Sequence, residues 1–149
     1  MSTFFVILLP LVLMFMALCF DGMRIFVLKH ELQSVVDAAS LAGSSAIQAK
    51  LTMVGNVPVG THLELDPITA DLYAIELLNE NIAKHNFDKQ GITNVQVIEN
   101  RAVDTDVDGI LDGYYMKVSA EIESFLYGPL TGSGRKITIV REAEARAKP

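Results

Sequence analysis

The chain has 149 residues, half of them hydrophobic and a fifth charged, and a net charge of −6. That length leaves room for a long helix and one globular domain of about a hundred residues. The acidic excess lies wholly beyond Lys50, because Asp21, Glu31 and Asp37 are matched by Arg24, Lys29 and Lys50, and an acidic head excludes nucleic acid as a natural partner.

Residues 1–50 read as one unbroken helix with two different surfaces. From Phe4 to Phe20 there is no charged side chain over 17 residues, close to the roughly 20 needed to cross a bilayer core. Pro10 lies inside this run, where it removes one backbone donor, and helices in lipid or in tight bundles tolerate that. Cys19 sits in the same run as a small hydrophobe and, as the single cysteine, allows no disulfide within the chain. A secretory signal fits poorly, since no basic region precedes the run and Asp21-Gly22-Met23-Arg24 is not a small-residue cleavage site. The chain is therefore expected to be a mature form or to have an unusual N-terminus.

Asp21 and Arg24 stand three apart on one helical face and either pair locally at the membrane edge or meet a neighbouring subunit. After them Leu28, Leu32, Val35, Ala39, Ala42, Ala46 and Ala49 alternate spacings of four and three, the pattern of a helix packed along a seam. A helix of this length extends on the order of 70 Å. A small head is expected to leave part of it uncovered, so lipid or copies of the same helix should cover the rest. Ala38, Ala42 and Ala46, with Ala39 and Gly43, place small residues four apart, which favours close helix contacts. The last two turns could instead pack on the chain's own head.

Gly55, Pro58 and Gly60 mark a loop or a short strand pair. Asp66-Pro67 is a helix start, and Ile68, Leu72, Ile75, Leu78 and Ile82 give the helix that follows, to about Asn86, an apolar face. Strands are predicted around Val95 and Val97, across Met116, Val118, Ala120 and Ile122, and around Ile137 and Ile139. Gly128-Pro129 and Gly132-Ser133-Gly134 punctuate the last connection, and the Arg141–Ala147 tail, helix or strand by pattern, is read as continuing the Ile137 strand. The expected class is α+β: a helical stalk over residues 1–50, then a head over residues 51–149 with one amphipathic helix on an antiparallel sheet.

One stretch carries site chemistry. Asp104, Asp106, Asp108 and Asp112, with Gly109 between, can wrap a hard cation, and the Ile110 carbonyl can add a further oxygen. Position twelve is Tyr115, so the bidentate glutamate of a sensor loop is missing, and the pattern is nearer to short extracellular calcium loops. The alternative is a solvated acidic turn between strands. Repulsion among four carboxylates within nine residues favours bound Ca2+. No catalytic constellation accompanies it: His30-Glu31 lacks a second histidine four residues on, and Ser44, Ser45 and Ser124 have no nucleophile-elbow context.

The order Pro10, Asp21, Gly22, Arg24, Leu32-Gln33, Asp37-Ala38-Ala39, Leu41-Ala42 resembles the TadE/TadG-like family of the tight-adherence (Flp) pilus system. More loosely, the alternating Ala143, Ala145 and Ala147 ending is similar to that family's last strand. The basic residues and glycine usual before the family's apolar run are absent, and Phe5 stands where type IV-like pilins carry a glutamate. The chain is also too short for the metal-dependent adhesion domain inserted in larger members. The resemblance implies a pilin-like protein, membrane-inserted before assembly and then part of a cell-surface filament. Its partners would be copies of itself and the pilus-assembly machinery, with Asp21, Arg24, Leu28, Leu32, Val35, Ala39, Ala42 and Ala46 as assembly residues and no enzymatic role. The alternative is a membrane-anchored calcium-binding surface module, or a minor pseudopilin that does not itself build the filament.

Overall fold

A computed structural model describes residues 2–126, 129, 130, 132 and 134–147, with side chains from residue 5 onward. Its first element, α1 (Ser2–Ser44), is a single helix that runs through Pro10 without interruption. It stops short of the predicted Lys50. The Ser44 and Ser45 hydroxyls turn back to donate to the carbonyls of Leu41 and Ala42 at 2.8 and 2.6 Å, helping to satisfy the acceptors of the last turn. The following residues are stronger strand formers and pair instead as an antiparallel hairpin, β1 (Ile47–Val54) with β2 (Val57–Leu65). Gly55, at φ 65°, makes the two-residue turn possible.

Next comes α2 (Pro67–His85), beginning at Asp66-Pro67 as the sequence predicts. Its buried face, however, consists of Ala70, Ala74 and Leu78, whereas Ile68 and Leu72 are 82% and 62% exposed. The helix is rotated from the expected face because two alanines bring it close to α1, which large side chains at those positions would prevent. A short α3 (Phe87–Gln90) buries Phe87.

The main sheet is antiparallel in the order β3 (Ile92–Val103), β4 (Gly113–Glu123), β5 (Lys136–Arg146). Met116, Val118, Ala120 and Ile122 of the central strand are buried, matching their alternation in the sequence. The tail is part of β5, as expected. β3 is less regular: its register slips between Thr93 and Gln96 and between Val97 and Glu99, so Val95 packs on the core while Val97 is exposed. Of the expected turn residues in the last connection, Gly128 and Ser133 lie outside the described residues.

One core joins Ile25, Leu28, Leu32, Val35, Val36 and Ala39 of α1 to β4, to α2 and to Phe87. The second half of α1 is thus a structural member of the head, packed against α2, β4 and β5. Its first half is bare: residues 5–17 are all exposed. The arrangement is α+β and pilin-like.

Candidate functional site

The two halves of α1 meet at Asp21, a buried carboxylate where the apolar run ends. Its oxygens accept the Ser124 hydroxyl at 2.8 Å, the Leu126 N–H at 3.0 Å and the Phe125 N–H at 3.3 Å. One turn on, the Arg24 guanidinium donates to the Glu123 carbonyl at 3.0 Å and to the Gln90 carbonyl, and lies over the Phe125 ring, 5.3 Å from its centroid. Asp21 and Arg24 thus bind the head through opposite chemistries. The acid takes the backbone donors that follow β4, and the base takes carbonyls at the ends of β4 and α3. Together they clamp the head to α1 where the bare helix begins.

Of the remaining residues expected to serve assembly, Leu28, Leu32, Val35, Ala39 and Ala42 line the same helix, while Ala46 lies beyond its end, in the link to β1. Leu28, Leu32, Val35, Ala39 and Ala46 are buried against the chain's own head. Ala42 is half-buried and lines a groove with Tyr73 and Leu77 of α2. The seam is therefore covered within the chain along most of its length, well beyond the two turns allowed for in the sequence reading, because β4, β5 and α2 all run beside α1. The small residues serve this contact. A Cβ on Gly43 would come within 2.5 Å of the Tyr114 ring, and the Ser40 hydroxyl donates to the Tyr114 carbonyl at 2.6 Å. Gln33 reaches the Glu142 carbonyl at 3.0 Å and Asp37 at 2.8 Å. At the outer edge the Tyr114 hydroxyl donates to Asp71 at 2.7 Å, and Asn100 donates to both. Burial, and then this bond to Asp71, hold the phenol well above its ordinary pKa.

At the opposite end of β4 lies the acidic loop, residues 104–112. Asp104 organises it by accepting the N–H groups of Val107 and Gly109, each at 2.7 Å, and of Asp106 and Asp108, each at 3.3 Å. The Gly109 N–H foremost holds this carboxyl below its ordinary value. The wrap forces Gly109 to φ 87° and even Val107 to φ 63°, conformations natural to glycine and uncommon for a β-branched residue.

Asp104, Asp106 and Asp108 each bring an oxygen within 4.8 Å of the others, a donor set of the hard-oxygen kind that calcium takes. Asp112 is placed differently, accepting from Thr105 at 2.8 Å and pairing with Arg146 Nε at 2.6 Å. Arg146 also pairs with Asp106, so the loop carries its own counter-ion. Neither Arg146 nor Ser124 was singled out from sequence as a site residue. The signal for Arg146 lay in the β4–β5 pairing, which sets it opposite Gly113, beside Asp112.

No curated protein and no solved structure matches the chain. Its bare apolar helix is long and apolar enough to cross a membrane. Residues 1–48, which carry that helix and both charged members of the clamp, match the family described as Flp pilus-assembly TadE/G-like, and the likeness rests on this N-terminal third of the chain.

Proposed function

We propose that the chain is a structural, non-enzymatic subunit of a cell-surface pilus. It is held in the membrane by residues 5–20 before assembly and then packed with those segments bundled in the filament core and the acidic heads outside. The observation that supports this reading is the continuity of α1 from the bare segment into the core of the head. A simple anchor works through a flexible linker, whereas an unbroken helix fixed at both levels transmits position and load. Because the head covers the seam from Leu28 to Ala46, copies meet through the bare segment, aided by outward apolar residues of α2 and of the β1–β2 hairpin such as Leu72, Leu51 and Met53. As part of the same reading the loop at residues 104–112 is a calcium site of the exposed head, supported by its three convergent carboxylates.

Immunogold electron microscopy of filaments sheared from cells, with antibody raised to the head, tests the proposal. Label repeated along the filament is expected. Label confined to the membrane while filaments persist would reassign the chain to the anchored, minor role.

A further inference from the structure

The connection between β4 and β5 leaves the sheet at the end nearest the bare helix. Asp21 draws Ser124, Phe125 and Leu126 against α1, and a groove there is lined by Ala17, Phe20, Asp21, Arg24, Phe125 and Leu126. Ala17 lies one turn below Asp21, roughly 6 Å nearer the bare end. This part of the head therefore stands beside the last turn of the apolar run. Phe125 is 71% exposed, and Leu130, whose N–H donates to the Leu126 carbonyl, is 56% exposed. On the bare side of α1, exposed apolar residues continue past Asp21 through Met23, Phe26 and Val27 before Lys29 appears. Arg24 keeps its charge at this level, with its guanidinium bonded to two carbonyls and lying over the Phe125 ring, as suits a long basic side chain at the headgroup boundary. A medium that covers Phe20 and Met23 also reaches Phe125.

We infer that Phe125, with Leu126 and Leu130, is a second membrane contact: the head rests on the bilayer with these three side chains immersed in the acyl boundary. The inference rests on the reading that the bare segment is lipid-inserted before assembly. Lipid is the occupant the surface favours because the patch is continuous with the helix surface that lipid covers, and interfacial binding of this kind grows with the apolar area immersed. Two attachments, the span and the loop, fix the tilt and rotation of the head, which the span alone would leave free.

The chain contains no tryptophan, so a single introduced indole reports its own surroundings. The full chain is reconstituted in phosphatidylcholine vesicles containing acyl-brominated lipid, as Phe125→Trp, as Phe15→Trp within the span, and as Val107→Trp in the acidic loop at the far end of the sheet. Emission from the first two should fall as the brominated fraction rises, and emission from Val107→Trp should not change. Quenching of Phe15→Trp without quenching of Phe125→Trp overturns the inference and leaves the anchor intact, while quenching of neither overturns both. Blue-shifted Phe125→Trp emission that ignores brominated lipid and relaxes to the solvent value on diluting the protein within the vesicles would identify a second copy as the cover, and also overturns it.

Discussion

Asp21 is a carboxylate removed from water beside an apolar segment, a position that is costly for a charge unless its oxygens are bonded. Here its partners are the hydroxyl and two N–H groups of Ser124–Leu126, and their loss is felt on both sides. Asp21→Ala strands those donors, at about 1–3 kcal/mol in stability. It should lower the melting temperature and speed hydrogen exchange at Phe125 and Leu126, with Asp21→Asn intermediate because one oxygen remains an acceptor. Unchanged exchange in the alanine variant would remove the clamp. Gly43 makes the opposite point, that of a side chain withheld. Its missing Cβ is where the Tyr114 ring sits, so Gly43→Ala should cost about 1–3 kcal/mol by overpacking. Adding Tyr114→Leu should give a double variant that costs less than the sum of the two single changes, because the clash is gone, yet stays less stable than the wild type, since the Tyr114 hydroxyl also holds Asp71 and Asn100. Equal melting temperatures for the wild type and Gly43→Ala would show that the helix has room to shift.

The acidic loop is an element whose charges can be satisfied in two ways, by Arg146 or by a cation. Arg146 holds Asp106 and Asp112, leaving calcium to share Asp106 with Asp104 and Asp108. Millimolar calcium should therefore stabilise the wild type modestly, up to about 2.7 kcal/mol if it exceeds its dissociation constant a hundredfold. Arg146→Gln should lower the melting temperature with chelator and regain it with calcium. A calcium-insensitive melt of both proteins would remove calcium as a counter-ion and leave that role to Arg146 among the described residues. Legibility differed from element to element for physical reasons. β4 was readable because one face packs on α1, and its alternation is the imprint of that burial. The buried face of α2 was not, since Ala70 and Ala74 carry little hydrophobic signal while the conspicuous Ile68 and Leu72 point outward. In α1 the seam was legible as a covered stripe, but periodicity records that a stripe is covered and is silent on what covers it. Asp21 and Ser124 are 103 positions apart, and only the closed sheet brings them together.

At the scale of the whole molecule, the division between anchor and head falls within α1. The sequence reading divides the chain into a stalk over residues 1–50 and a head over residues 51–149, whereas the contacts of Asp21, Arg24 and Ile25 with the head argue for a cut just before Asp21. Removing residues 1–19 takes away exposed apolar surface and leaves every described core contact in place. The shortened chain should be soluble and monomeric, and it should melt close to the full-length protein in detergent. Removing residues 1–27 deletes the clamp and the buried Ile25 as well. Loss of a buried isoleucine costs about 2–5 kcal/mol and the stranded donors about 1–3 kcal/mol, which at this size lowers the melting temperature by roughly 10–30 °C. Calorimetry and sedimentation of the two truncations distinguish the possibilities. Equal melting temperatures would place the boundary back at the seam. Polymers formed by the chain lacking residues 1–19 would show that heads assemble by their own surfaces, so the bare helices would not be what holds the filament together.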